Sequence, residues 1–172
     1  KGGGGKKAGG FGLEMRVGKV TEVGDHPGAD ALYVLKVDVG EGKLRQICAG
    51  LKSAYKKEEI EGKSVVVLCN LKAAKLRGEV SEGMVLAAGE GTVGVLTPVE
   101  SCSPGTLVLP AGVEVPESFS KVTKSGFQKF KFEVQGGKAT HEGKHFIALE
   151  KEQQIGVVPD PEKSIPDGAN IK

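Results

Sequence analysis

The 172-residue sequence predicts an all-β fold, a five-stranded barrel with one short helix and a smaller β-rich extension packed on it. Three observations point there. Short apolar segments alternate with polar residues at a period of two, the mark of half-buried strands. Glycine is abundant, at 27 residues, which suits many tight turns and which long helices tolerate poorly. The segments also run in a telling order: three strands, a short polar stretch with room for a helix, then two strands. That order belongs to the OB barrel.

Lys1 to Gly10 is Gly/Lys-rich, with six glycines in ten residues, and is expected to be a flexible basic linker. The barrel is expected over residues 11–110. Leu13, Met15 and Val17 alternate with Glu14 and Arg16 as a first strand. Asp25-His26-Pro27-Gly28 is a turn. Tyr33, Leu35, Val37 and Val39 alternate with Lys36 and Asp38 as a second strand. Gly40-Glu41-Gly42 turns the chain into a third strand, Leu44 to Ala49, which completes a meander. Ser53 to Glu61 has room for only a short helix, which in this fold plugs one end of the barrel. Ser64 to Cys69, with the β-branched Val65-Val66-Val67 at its centre, is expected to be a fourth strand buried on both faces. Leu71 to Glu82 reads as a basic loop, and Met84 to Ala88 as the fifth strand.

After Pro98 the rhythm changes. Pro104-Gly105, Pro110, Gly112 and Pro116 punctuate short apolar pieces. Phe130, Phe132 and Val134 alternate with Lys129, Lys131 and Glu133 as one more strand, and His145 to Leu149 reads as another. Residues 111–172 are therefore expected to form the extension.

Net charge is only +2, but its distribution is uneven. Lys36 to Arg77 carries ten Lys/Arg against five Asp/Glu. Gly78 to Ser120 holds six Glu and no cation, and Lys121 to Lys131 adds four Lys without an acid. A nearly neutral chain of this kind still carries a basic face, with solvated surface charge as the alternative. The three cysteines, Cys48, Cys69 and Cys102, show neither a disulfide framework nor zinc-ligand spacing, and they fit a reducing compartment. His141 and His145 stand four apart without a third ligand, so no metal or other cofactor is expected. No paired carboxylates, nucleophile elbow or Cys/His arrangement demands catalysis. No apolar run approaches membrane-spanning length and no signal peptide is visible, so a cytoplasmic location is expected. The first residue is Lys1 rather than Met, as in a fragment or processed product of something longer.

The densest chemistry lies between Asn70 and Met84. Lys72, Lys75 and Arg77 place three cations in six residues, beside the ligand face of such a barrel, with Arg77 suited to bidentate phosphate contact. Asn70 both donates and accepts, which suits a base edge or a sugar hydroxyl. Ser81 and Met84 offer a small hydroxyl and a flexible thioether for an unstacked base. Lys36 and Arg45, on neighbouring strands, are candidates to extend the basic face. Each has a plain alternative: an Asn turn, solvated lysines, and a core methionine at Met84.

Leu13-Glu14-Met15-Arg16-Val17-Gly18, His26-Pro27-Gly28-Ala29-Asp30-Ala31-Leu32-Tyr33, Ala49-Gly50-Leu51, Asn70-Leu71-Lys72, Lys75-Leu76-Arg77-Gly78 and Ser81-Glu82-Gly83-Met84-Val85-Leu86 follow one another along the barrel. With these stretches the chain resembles the tRNA-binding domain family typified by endothelial monocyte-activating polypeptide II. Members stand at the C-termini of some methionyl- and tyrosyl-tRNA synthetases and among free synthetase cofactors. Lys138 to Phe146, Gly156-Val157-Val158 and Ile171-Lys172 resemble the C-terminal extension of the eukaryotic members. That extension packs on the barrel and mimics the second subunit of dimeric bacterial relatives, which implies a monomer.

The resemblance implies a non-catalytic module that binds tRNA with little sequence preference. It would raise the tRNA affinity of an aminoacyl-tRNA synthetase attached in cis or associated in trans. It assigns Asn70, Lys72, Lys75, Arg77, Ser81 and Met84 to tRNA contact. A second implied role is a secreted cytokine-like signalling polypeptide released from a synthetase complex. Phe11 to Val17, the stretch linked with that role in the mammalian member, departs here from the family pattern.

Overall fold

A computed structural model describes residues 11–172; the linker expected over residues 1–10 lies outside the described residues. The elements in chain order are β1 (Met15–Asp25), β2 (Tyr33–Asp38), β3 (Leu44–Ala49), α1 (Lys57–Ile60), β4 (Ser64–Leu68), β5 (Ala74–Leu76), β6 (Glu79–Ser81), β7 (Met84–Val85), β8 (Ala87–Ala88), β9 (Gly94–Pro98), β10 (Leu107–Pro110), α2 (Lys124–Phe127), β11 (Phe132–Gln135), β12 (Lys138–His141), β13 (Lys144–Glu150) and β14 (Gln153–Pro159). The fold is all-β and OB-like.

β1, β2 and β3 form the expected antiparallel meander. β1 also pairs with β4, and β4 with β7. The ring closes where the Glu82 N–H donates to the Gln46 carbonyl at 2.7 Å, joining the β6–β7 segment to β3. α1 contributes the fully buried Ile60 to the barrel interior, where it packs with Val20, Leu35, Val37, Ile47, Val65 and Val67. Gly18 is required in this interior: a Cβ there would stand 2.7 Å from a Val37 methyl.

The alternation read in the sequence has a second meaning. Leu13, Met15 and Val17 do not line the barrel. They point outward with Val66 and Leu68, into a second core shared with Phe127, Phe132, Phe146 and Val157 of the later chain. β4 is therefore apolar from Val65 to Leu68 because it is covered twice: Val65 and Val67 face the barrel, Val66 and Leu68 face the extension. Burial of each such side chain stabilises the fold by roughly 1.5–3 kcal/mol.

Two local expectations are corrected. The stretch from Leu71 to Glu82 is not simply a loop, because β5 and β6 within it pair as a hairpin. The fifth strand is broken at Leu86: β7 pairs with β4 while β8 turns away to pair with β9. The later chain also holds more strands than its alternation announced. β10 pairs with both β1 and β13, and β14 pairs with β9, so the extension continues the barrel sheet.

Barrel and extension also meet at a buried polar joint. The Tyr55 hydroxyl donates to Asp160 Oδ2 at 2.7 Å and accepts from the Val95 N–H at 3.0 Å. Lys63 Nζ lies 3.2 Å from the same carboxylate oxygen. Burial alone would push the Asp160 carboxyl up, but the bonds from Tyr55, the Glu162 amide and Lys63 outweigh it and hold the group below its ordinary 3.8. A carboxylate with a lowered folded-state pKa contributes stability above its unfolded value, and that contribution is lost as pH falls through the folded value. Asp160→Asn is expected to cost about 1–2 kcal/mol at neutral pH, or roughly 2–8 °C in Tm. It should also flatten the fall in Tm below about pH 4. Thermal unfolding from pH 7 to pH 2 checks this, and an acid limb parallel to that of the parent chain rejects it.

Candidate nucleic-acid interface

The β5–β6 hairpin is the most cation-rich projection of the barrel. Its register is Ala74–Ser81, Lys75–Val80 and Leu76–Glu79, leaving Arg77 and Gly78 as a two-residue turn. Both adopt left-handed φ, +50° and +94°, the pattern of the tight turn that suits the twist of a hairpin. Glycine takes this conformation freely, while arginine is held there at a cost of about 1–2 kcal/mol. The result puts the Arg77 guanidinium at the exposed tip.

Several contacts hold the tip and the base. His26 is buried, and its Nδ1 accepts from the Gly28 N–H at 2.9 Å. The proton must then sit on Nε2, which donates to the Leu76 carbonyl at 2.7 Å. Gly28 itself lies against the Arg77 carbonyl oxygen, where a Cβ would stand at an ordinary contact distance of 3.4 Å. At the base, the Ser81 hydroxyl accepts from the Cys48 N–H at 2.9 Å and donates to the Gly83 carbonyl at 3.0 Å. Gln46 donates to the Val80 carbonyl at 2.9 Å, and its own N–H donates to Glu82 Oε1 at 3.0 Å.

The candidate residues separate into distinct places. Lys72, Lys75 and Arg77 are exposed and make no ion pair among the described residues. Leu76 and Val80 stand beside them, 37% and 41% exposed. Asn70 and Ser81 are 3% and 6% exposed. Asn70 spends its amide internally: Oδ1 accepts from the Glu14 N–H at 2.9 Å, and Nδ2 donates to the Gly12 and Ser120 carbonyls at 2.9 and 2.7 Å. Met84 is half-buried opposite Leu68 and packs on the core shared with the extension.

Lys36 and Arg45 do not share a face. The β2–β3 register sets Lys36 against Gln46 and Arg45 against the buried Val37. Lys36 points outward and donates to Gln46 Oε1 at 2.7 Å. Arg45 lies across the barrel mouth, donating through Nη1 to the Cys69 and Glu82 carbonyls at 2.7 and 2.8 Å. Its Nε and Nη2 engage Glu41 at 2.6 and 3.1 Å, which holds the Glu41 carboxyl below its ordinary 4.5. The arginine fastens the loop between β4 and β5 to β3.

Two acids nearby are neutralised by arginines: Glu14 pairs with Arg16 at 2.7 Å and Glu41 with Arg45. Glu82 and Glu79 keep their charges, accepting only from the neutral Gln46 N–H at 3.0 Å and Gln46 Nε2 at 3.4 Å. Lys72, Lys75 and Arg77, with no ion pair among the described residues, still outnumber these two carboxylates and make this side of the barrel net positive. Burial pushes the Cys69 thiol up to about 12 and raises Cys48 and Cys102 as well, which disfavours the thiolate at all three.

Sequence reasoning assigned His26 only to a turn; its docking of the hairpin becomes visible once the Leu76 carbonyl is placed. It also left Lys121 and Lys124 as a charge run, although the structure pairs that segment with Asn70 to Lys72.

Comparison with known proteins places the chain in a family. The sequence profile of the tRNA binding domain matches residues 15–107. The chain is 57% identical over 79 residues to the methionine–tRNA ligase of Thermococcus kodakarensis, covering 46% of this chain and 10% of the ligase. It is 45% identical over 123 residues to the cytoplasmic tyrosine–tRNA ligase of Gallus gallus, covering 68% of this chain and 23% of that one. The C-terminal domain of Plasmodium vivax p43 superposes with a TM-score of 0.80 at 31% identity, over 94% of this chain and 97% of that domain. The chain thus spans a small part of the two ligases and nearly all of the p43 domain.

Proposed function

The chain belongs to the tRNA binding domain family, and from that premise we propose that it is a non-catalytic tRNA-binding module that raises the tRNA affinity of an aminoacyl-tRNA synthetase, attached or associated. The observation that carries the proposal is the braced β5–β6 hairpin and the segment leading into it, which present Lys72, Lys75 and Arg77 exposed and without ion pairs among the described residues, while Glu14 and Glu41 are paired with arginines.

Lys72 and Lys75 act as point charges on phosphates, and Arg77 adds a planar fork for bidentate contact. Contacts of this kind position a nucleic acid without reading its sequence. The clamps from His26, Ser81 and Gln46 fix the hairpin before binding, which lowers the ordering cost of association. Asn70, Ser81 and Arg45 serve this reading as positioning residues, and Met84 and Lys36 flank the face. The extension covers the outer side of β1 and β4, which supports a monomer. The chicken relative's name supports the cytoplasm as the working compartment. The signalling alternative gains nothing from Leu13, Met15 and Val17, whose side chains are buried.

Titration with unfractionated tRNA between about 50 and 300 mM salt tests the proposal. The logarithm of the association constant is expected to fall linearly with the logarithm of salt, with a slope of at least about 2 in magnitude for three phosphate contacts. No binding at low salt, or a flat response, rejects it.

A further inference from the structure

We propose that the extension supplies a second basic strip, Lys121 and Lys124, which grips the RNA backbone beside the hairpin, so that the RNA-binding face spans both parts of the chain. This rests on the RNA-binding reading above and enlarges its surface.

The strip is fastened to the segment that leads into the hairpin. Leu71 and Val122 form a parallel bridge, in which the Lys72 N–H donates to the Val122 carbonyl at 2.9 Å and the Val122 N–H to the Asn70 carbonyl at 2.7 Å. The Asn70 side chain adds a third tie, to the Ser120 carbonyl. Paired strands lie about 5 Å apart. Lys121 and Lys124 therefore sit within about one Debye length of Lys72, roughly 10 Å at 0.1 M salt, and the charges act on one ligand.

Side-chain direction follows from the same pairing. Val122 turns into the core shared by barrel and extension, which leaves Lys121 on the outer side. Thr123 caps α2 by accepting from the Gly126 N–H at 3.0 Å, and Lys124 follows at its exposed start. Lys121 faces Lys43 and Arg45 across a small cleft of about 170 Å³. Of its two acids, Glu41 is paired with Arg45, while Glu82 accepts from the neutral Gln46 amide and keeps its charge, so Lys43, Arg45 and Lys121 leave the cleft with one net positive charge. Neither Lys121 nor Lys124 has an ion-pair partner among the described residues. The charge pattern of the chain agrees: forty-three residues without a cation end at Ser120, where the chain rejoins the Asn70 segment, and lysines then begin. A polyanionic backbone lying along Lys75, Lys72 and Lys121 matches that continuous positive strip.

The test compares Lys121→Gln/Lys124→Gln with Lys144→Gln/Lys151→Gln, which removes the same formal charge from the exposed first residue of β13 and from the turn after it. Both are titrated with unfractionated tRNA at several salt concentrations, beside the parent chain and a Lys72→Ala/Lys75→Ala/Arg77→Ala variant. The first pair is expected to weaken binding about tenfold or more near 0.1 M salt and to reduce the salt slope by about two units. The control pair should leave the slope nearly unchanged. Equal losses in both pairs reduce the effect to net charge and overturn the proposal. No loss at Lys121 and Lys124 while the hairpin variant binds weakly overturns it and leaves the RNA-binding reading standing. A parent chain that does not bind tRNA overturns both.

Discussion

Replacement of Lys72, Lys75 and Arg77 together by alanine is expected to weaken tRNA binding by about a hundredfold or more near 0.1 M salt, and to reduce the salt slope by about three units. Each cation that meets a phosphate releases a counterion, so its removal lowers affinity most where salt is low. The side chains are exposed and unpaired among the described residues, so their loss leaves no buried partner unsatisfied. Stability should therefore change by no more than about 0.5 kcal/mol per site. Arg77 is the one position with a backbone constraint, φ +50°, and alanine carries the same steric cost there as arginine. Equilibrium titration together with thermal unfolding separates the outcomes. Unchanged affinity in the folded variant would instead describe a protein-interaction scaffold with a solvated hairpin. A loss that does not shrink as salt rises would point to contacts other than phosphates.

The barrel strands were readable because their signals are local. Tyr33–Asp38 alternates cleanly, and Val65–Leu68 is apolar throughout. The hairpin was hidden because three cations and two alanines at Lys72–Arg77 look like solvated loop. Its one legible sign was Arg77-Gly78, a residue followed by glycine between two short runs. β9 and β10 escaped notice because they have partners far away in sequence, β14 for β9 and β1 and β13 for β10, as Leu107 has in Arg16. No periodicity announces such partners.

At the site, residue type located the chemistry but not its use. Asn70 and Ser81 carry groups equally suited to a base and to a backbone, and only their burial shows that the backbone takes them. Lys36 and Arg45 seemed alike because strand period alone does not say which parity faces inward. The register of β2 on β3 answers that by setting Arg45 with Val37. Lys121 and Lys124 were visible as charge and invisible as site, because one parallel bridge between distant segments brings them to Lys72.

Asn70→Ala is expected to cost about 3 kcal/mol in stability, or roughly 6–12 °C in Tm for a chain of this size. The cost comes from what remains. The Glu14 N–H and the Gly12 and Ser120 carbonyls each lose a partner supplied by this one amide, in a place that water reaches poorly. Asn70→Asp should be worse still, because a carboxylate accepts from Glu14 but cannot donate to the two carbonyls, and its charge would be buried. Binding at a temperature where both variants remain folded carries the second half of the prediction. Loss of the tie to Ser120 loosens the segment that bears Lys121 and Lys124, while the clamps on the hairpin from His26, Ser81 and Gln46 stay in place. Asn70→Ala should then lose affinity to about the extent of the Lys121/Lys124 variant and keep the part due to Lys72, Lys75 and Arg77. A variant with unchanged Tm and severely weakened binding would assign the Asn70 amide to RNA instead, since a side chain that contacts ligand alone leaves the free protein's stability untouched.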